Sequence, residues 1–313
     1  MDFAATPFLR DRLVVTGFWR SGTTWILEQA AQAIQAKTIF EPLAPSSGAF
    51  WEDRPFANDR ANCEMFMPLC VAHLSPSARR MSFGAIAGRG QTGFAFFCRQ
   101  SLEEATRRNT VAKFTRAGFL VPELLTTTDA RFLHIRRHPG AVYASLRDMK
   151  WEWSIKDVSL SRLYGTENAL ETPALSDVRH ALLANDQSPA RRIAALWALS
   201  ENAVHQAVRS APAGRIEELS YSDLVLNRAC LAEALKALGF QLKAKHDPSR
   251  VSPVTTLDRY TLNTHERLNS WQDTLSHREK DELRSVTLEL FPDGADVFWE
   301  DLDPPELARV ATL

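Results

Sequence analysis

The order of apolar and polar positions defines the first element at once. Residues 13 to 17, LVVTG, are apolar and β-branched and end on Gly17, which predicts a buried strand. After the turn FWRSG, the stretch TTWILEQAAQAIQAK reads as a helix. In it Trp25, Leu27, Ala31 and Ile34 can face a sheet while Glu28, Gln32 and Gln35 face water. The same grammar returns at 131 to 148: RFLHIR is a strand, His138-Pro139-Gly140 a turn, and AVYASLRDM the start of a helix with Pro139 in its first turn. VAKF at 111 to 114 is a third strand and RIEEL at 215 to 219 a weaker fourth. Helical patterns cover roughly 191 to 209, 229 to 238 and 277 to 290. Strands alternating with helices predict an α/β fold, a parallel sheet flanked by helices on both faces.

Two stretches escape this grammar, about 42 to 100 and 150 to 190. Long irregular segments within a compact domain are usually binding loops or lids, so both are assigned to the acceptor side of one domain spanning 1 to 313. Hydrophobic residues at 45% and charged residues at 24% fit a globular protein with a sizeable core. A formal charge of -1 marks the protein as neither a nucleic-acid nor a membrane binder, so any bound anion must be held by local positive charge. No apolar run approaches the roughly 20 residues that span a bilayer. The N-terminus MDFAATPFLRDR lacks a basic-then-apolar secretion signal. Cys63, Cys70, Cys98 and Cys230 have no metal-type spacing and read as small buried hydrophobes. A cytoplasmic protein with reduced thiols is expected, and homo-oligomerisation is left open.

The segment GFWRSGTT, from Gly17 to Thr24, has the length of the phosphate loop GxxxxGK[ST], but Thr23 stands where that motif needs lysine. Without that lysine a nucleoside triphosphatase loses its grip on the β- and γ-phosphates. The loop geometry survives: Gly22 lets backbone approach an anion, and helix amides with the Thr23 and Thr24 hydroxyls can cradle a phosphate. Arg20 adds a charge within the loop.

These residues carry a resemblance. RSGTTW resembles the loop of the sulfotransferase superfamily that binds 3′-phosphoadenosine 5′-phosphosulfate (PAPS). The run TVAKFTRAGFLVPELLTTTDARFLHIRRHPGAVYASL resembles the family's lysine-bearing strand, helix, and strand ending in R-D-P before a helix with a serine. Arg137 takes the arginine position, His138 replaces the usual Asp in a structural role, and Ser145 follows Arg137 by eight. The resemblance implies PAPS as sulfuryl donor, PAP as product, and no metal. It implies a 5′-phosphate site at Arg20, Ser21, Gly22, Thr23 and Thr24, a 3′-phosphate site at Arg137 and Ser145, and Trp25 stacked on adenine. LSYSDL at 219 to 224 resembles the family's YEDL segment, so Tyr221 either contacts adenine or packs on the sheet. LNSWQDTL at 268 to 275 resembles the segment that closes over the nucleotide, which assigns Ser270 and Trp271 there.

For catalysis the resemblance places Arg20 at the departing oxygen and Lys113 at the sulfuryl group. The phenol and steroid branch has a His two residues after this lysine, where Thr115 stands here. Other branches use a glutamate after the first helix. Glu41, 21 residues past Arg20, is therefore favoured as general base, with His73 and His134 as rivals. Phe50, Trp51, Phe56, Trp151 and Trp153 make a candidate aromatic pocket for a small-molecule alcohol or amine, in keeping with tailoring of a metabolite or natural product. The competing classes are a small-molecule kinase with an atypical phosphate loop and an inactive nucleotide-binding module.

Overall fold

The computed structural model describes residues 12–40, 109–115, 118–148, 188–227, 229–242 and 268–300. In chain order these form β1 (Arg12–Thr16), α1 (Thr23–Ala33), β2 (Lys37–Phe40), β3 (Thr110–Phe114), a 3-10 turn (Gly118–Leu120) and α2 (Val121–Thr127). There follow β4 (Arg131–Arg136), α3 (Pro139–Asp148), α4 (Pro189–Ser210), β5 (Ile216–Ser220), α5 (Tyr221–Leu226) and α6 (Ala229–Ala237). The last described elements are α7 (Trp271–Thr274), α8 (His277–Leu290) and α9 (Pro292–Glu300).

The five strands lie parallel in the order β2-β3-β1-β4-β5, so β1 is central. Its register sets Val15 beside both Lys113 and Leu133. A parallel sheet must bury both faces, and alternate side chains of each strand serve opposite layers. Leu13, Val15, Val111, Leu133 and Ile135 pack on Ile26, Leu27, Ala30 and Ala31 of α1 and on Leu231 and Leu235 of α6. Val14, Ala112, Phe114 and Phe132 pack on Val121 and Leu124 of α2 and Val204 and Ala207 of α4. The helices do cover both faces, as the alternating pattern predicts. A third cluster joins α3, α4, α8 and α9 around Trp197, Trp271, Phe291 and Trp299.

The first helix ends earlier than its pattern suggests. It stops at Ala33 rather than continuing to Lys37, because Gln35 turns left-handed at φ +49° and the Ala36 amide closes onto the Ala31 carbonyl at 2.8 Å. Lys37 then opens β2, paired with Thr110. Trp25 is only half-buried; Ile26 takes the fully buried position expected of it. The stripe Thr23, Ile26, Leu27, Ala30, Ala33 and Ile34 follows the 3.6-residue period, and Trp25 sits at its edge.

The helix from β1 crosses one sheet face, while α2, α3 and α4 serve the other side of the molecule. In open α/β sheets a crevice forms at the strands' carboxyl ends where helix direction reverses, and ligands bind there. Here that point lies beyond the ends of β1, β3 and β4.

Candidate functional site

β1 runs out at Thr16 and the chain turns through Gly17 to Gly22 before α1 begins. Arg20 is left-handed at φ +64° and Gly22 at φ +80°. Left-handed residues within such a turn let successive amides point to one side, the geometry of an anion-binding concavity. Gly22 is the N-cap of α1 and supplies no side-chain cap, so the helix's first-turn amides are left for an anion. Ser21 is fully buried, and its hydroxyl has no hydrogen-bond partner among the described residues. Thr23 is turned inward, where a Cβ added at Gly17 would meet its methyl at 2.9 Å and the Ile135 carbonyl oxygen at 2.5 Å.

Two basic side chains reach this turn and the start of α1 from other elements, and a third, Arg20, belongs to the turn itself. Lys113 comes from β3, is 5% exposed, and donates from Nζ to Thr24 Oγ1 at 2.7 Å. Arg20 donates from Nε to Ser145 Oγ on α3 at 3.0 Å. Arg137, the first residue beyond β4, donates from Nη1 to the Arg20 carbonyl at 2.6 Å. Its guanidinium also lies over the Tyr221 ring, 4.7 Å from the centroid. Tyr221 in turn meets Trp25 edge-on at 6.3 Å and presses its ring on Gly22. Arg20, Ser21, Gly22, Thr24, Trp25, Lys113, Arg137, Ser145 and Tyr221 thus share one site, assembled from four strand ends. Its chemistry is that of an anion receptor with two poles. One is the α1 N-terminus with Lys113; the other is Arg137 with the Arg20–Ser145 pair.

Gly22 therefore cannot be replaced cheaply. A Cβ would come within 2.4 Å of the Tyr221 ring edge, and the left-handed backbone alone costs an L-residue about 1–2 kcal/mol. Gly22→Ala should destabilise the protein by about 2 kcal/mol or more in urea unfolding. A midpoint unchanged from wild type would show that this packing is not as described.

Other expected residues lie elsewhere. Trp271 is a core side chain, 3% exposed and stacked on His138 with centroids 4.1 Å apart, so its ring has little surface to offer a nucleotide. Ser270 precedes it as the N-cap of α7. His134 is fully buried and pairs with Glu201 at 2.7 Å, on the face opposite Lys113, which removes it from the loop as a rival base. Arg136 points the same way as His134, as strand alternation predicts, and ion-pairs with Glu201 at 3.4 Å and with Glu218. Glu41, His73, Phe50, Trp51, Phe56, Trp151 and Trp153 lie outside the described residues. So do most of the two segments assigned to the acceptor side.

Sequence reasoning missed one support, Trp197, and gave the other, His138, a structural role without saying what it holds. Trp197 donates from its indole N–H to the Arg137 carbonyl at 3.1 Å, and nothing in an amphipathic helix pattern marks one tryptophan for that task. His138 sits among Trp271, Trp299 and Phe298 with its Nδ1 accepting the Gly140 amide at 3.0 Å. Burial holds this imidazole neutral, its pKa lowered from the ordinary 6.5 to about 3; the Phe298 backbone opposes the shift and the Arg137 charge adds to it. Among the described residues no cluster of His, Cys, Asp and Glu could hold a metal ion. Nor is any described helix long and apolar enough to cross a membrane.

No protein-family profile matches the chain, and no curated protein matches it. Similar solved structures exist. The sulfotransferase domain from the curacin biosynthetic pathway aligns with a TM-score of 0.48 at 13% identity, over 92% of this chain and 98% of that one. The sulfotransferase domain from the Synechococcus PCC 7002 olefin synthase aligns with a TM-score of 0.46 at 14% identity, over 94% and 96%. Retinol dehydratase in complex with retinol and PAP gives a TM-score of 0.41 at 13% identity, over 96% and 84%.

Proposed function

We propose that the protein is a sulfotransferase that moves the sulfuryl group of PAPS to a hydroxyl or amine of a small metabolite or natural product. The observation that carries this reading is the two-pole anion site. Its loop lacks the triphosphate lysine, while Arg20, Ser145 and Arg137 form a second cationic pole beside it. A nucleotide with phosphates at both its 5′ and 3′ positions matches two poles; ATP does not need the second. The residues fit such a ligand, since the buried Ser21 hydroxyl has no partner among the described residues and Gly22 keeps the loop open to backbone approach.

In this reading the loop amides and Thr24 hold the 5′-phosphate, and Arg137 and Ser145 hold the 3′-phosphate. Trp25 and Tyr221 flank the base. PAPS supplies an activated sulfuryl group whose bond to the phosphate oxygen breaks as the acceptor's bond to sulfur forms. Lys113, at the α1 pole, stabilises the negative charge that collects on that departing oxygen. Glu41 takes the acceptor's proton, and Phe50, Trp51, Phe56, Trp151 and Trp153 line the acceptor pocket. Glu41→Gln keeps size but cannot take the proton, so turnover should fall roughly 10²-fold with PAPS binding intact. Near-normal turnover would exclude Glu41 and move attention to His73.

Transfer from labelled PAPS to a panel of alcohols and amines, beside calorimetry with PAP and with ATP and Mg²⁺, tests the whole reading. Preferential, metal-free binding of PAP is expected. Tight Mg²⁺-dependent ATP binding without PAP binding would replace the reading with a kinase.

A further inference from the structure

Two arginines follow one another at the carboxyl end of β4, and only Arg137, the second, stands at the anion site. Successive strand residues face opposite sides, so an anchor on one decides where the next one points. Arg136 carries the anchor. It ion-pairs with Glu201 of α4 at 3.4 Å and with Glu218 of β5, and its guanidinium lies over the Phe291 ring, 5.1 Å from the centroid. His134, on the same side of the strand, meets the same Glu201 oxygen at 2.7 Å. Glu201 is fully buried, so removing either partner would leave its charge poorly compensated and away from water. Arg136 is thereby committed to the α4 side, and Arg137 to the side of the loop.

That anchor stops at the last strand residue. Arg137 and His138 alone connect β4 to α3, and the backbone there has left the sheet. Yet α4 reaches this point as well: the Trp197 indole N–H donates to the Arg137 carbonyl at 3.1 Å. Trp197 lies one turn before Glu201, so one face of α4 grips both the strand end and the residue beyond it. The indole has little freedom of its own. It is fully buried, with Phe298 edge-on at 5.5 Å and Phe291 tilted at 6.2 Å. At its other end Arg137 bonds the Arg20 carbonyl at 2.6 Å and covers the Tyr221 ring.

Any nearby carbonyl would satisfy the N–H of a core tryptophan. Here the acceptor belongs to the residue that faces the anion site, at the joint between strand and helix. A backbone displaced at that joint carries its guanidinium away from a fixed phosphate, and charge-assisted hydrogen bonds weaken steeply as their geometry degrades.

We propose that Trp197 is a positioning residue for anion recognition, its indole N–H holding the main chain of Arg137 so that the guanidinium meets the 3′-phosphate. This rests on the bisphosphate reading of the site given above. Trp197→Phe keeps an aromatic ring against Phe291 and Phe298 but has no donor.

Calorimetry of the full chain with 3′,5′-bisphosphoadenosine and with AMP separates this role from plain packing. Trp197→Phe should lose about five- to tenfold in bisphosphate affinity, with AMP affinity within about twofold of wild type. In an Arg137→Ala background, Trp197→Phe should cause no further loss. Equal losses for both nucleotides would reduce Trp197 to a core residue and overturn the proposal. So would an unchanged bisphosphate preference, or a further loss once Arg137 is gone. If Trp197→Phe fails to fold, Trp197→benzothienylalanine, with sulfur in place of the N–H and nearly the same volume, is judged by the same three outcomes. A wild-type protein with no preference for bisphosphate over AMP would overturn the nucleotide reading and this proposal with it, whereas a preference kept by the variants overturns the proposal alone.

Discussion

Replacing Arg137 with Ala should lower affinity for 3′,5′-bisphosphoadenosine by roughly 10²- to 10³-fold while AMP affinity changes little, because two charge-assisted hydrogen bonds to a phosphate are lost together. The guanidinium stands at the carboxyl end of β4, braced by the Arg20 carbonyl and the Tyr221 ring. That bracing holds a planar fork ready before the ligand arrives, so little rotamer entropy is lost on binding. Arg137→Lys should recover only a small part, since a lysine keeps the charge but not the fork. Removing Arg137 also frees the loop carbonyl it holds, and this share should appear as a modest loss for AMP. Calorimetry with both nucleotides checks the point. An equal drop for the two would mean that Arg137 supports the loop and does not read the 3′-phosphate.

Acid should unfold the protein from an unusually high pH, and His138 is the cause. Its pKa falls from 6.5 in an open chain to about 3 in the folded protein. Between those values the unfolded chain binds a proton that the folded one refuses. Stability is therefore complete above about pH 6.5 and is lost as pH falls toward 3, by up to about 5 kcal/mol. Glu279 adds to the loss at lower pH. Burial pushes its pKa up, but the Ser276 amide and hydroxyl and the Arg147 guanidinium outweigh that and hold it below its ordinary 4.5. Its contribution is present above 4.5 and disappears as pH drops below that value, so of these two groups only His138 contributes to the slope between pH 6.5 and 5. Urea unfolding at pH 7, 6 and 5 should show falling midpoints in wild type and a flatter series in His138→Asn. Parallel slopes would mean that the imidazole does not stay neutral in the folded state.

Much of the architecture could be read along the chain. RFLHIR and VAKF lie where β4 and β3 form, because residues buried on both sheet faces must be continuously apolar or paired. The helices at 189 to 210 and 277 to 290 match their expected spans closely, since each carries an apolar stripe and a serine cap at Ser188 or Ser276. The loop residues Arg20 to Thr24 were legible for a local reason: glycine spacing and the strand-to-helix turn are properties of neighbours in sequence. Where tertiary pairing competed with local preference, the pattern misled. The end of α1 was fixed by β2 joining β3, and the place of Trp25 by the packing of Ile26.

The sequence by itself determined the phosphate loop, the absence of its lysine, the basic residues at strand ends and the parallel α/β order. Those are written in short segments and repeat periods. Only the tertiary structure decided that Arg20 reaches Ser145 across 125 residues, that Tyr221 closes on Gly22, and that Trp271 belongs to the core around His138. Such contacts depend on which helix crosses which sheet face and at what distance. A side chain's neighbours across the fold leave no period in its own segment, so the carboxyl ends of four separate strands had to be brought together before the site existed.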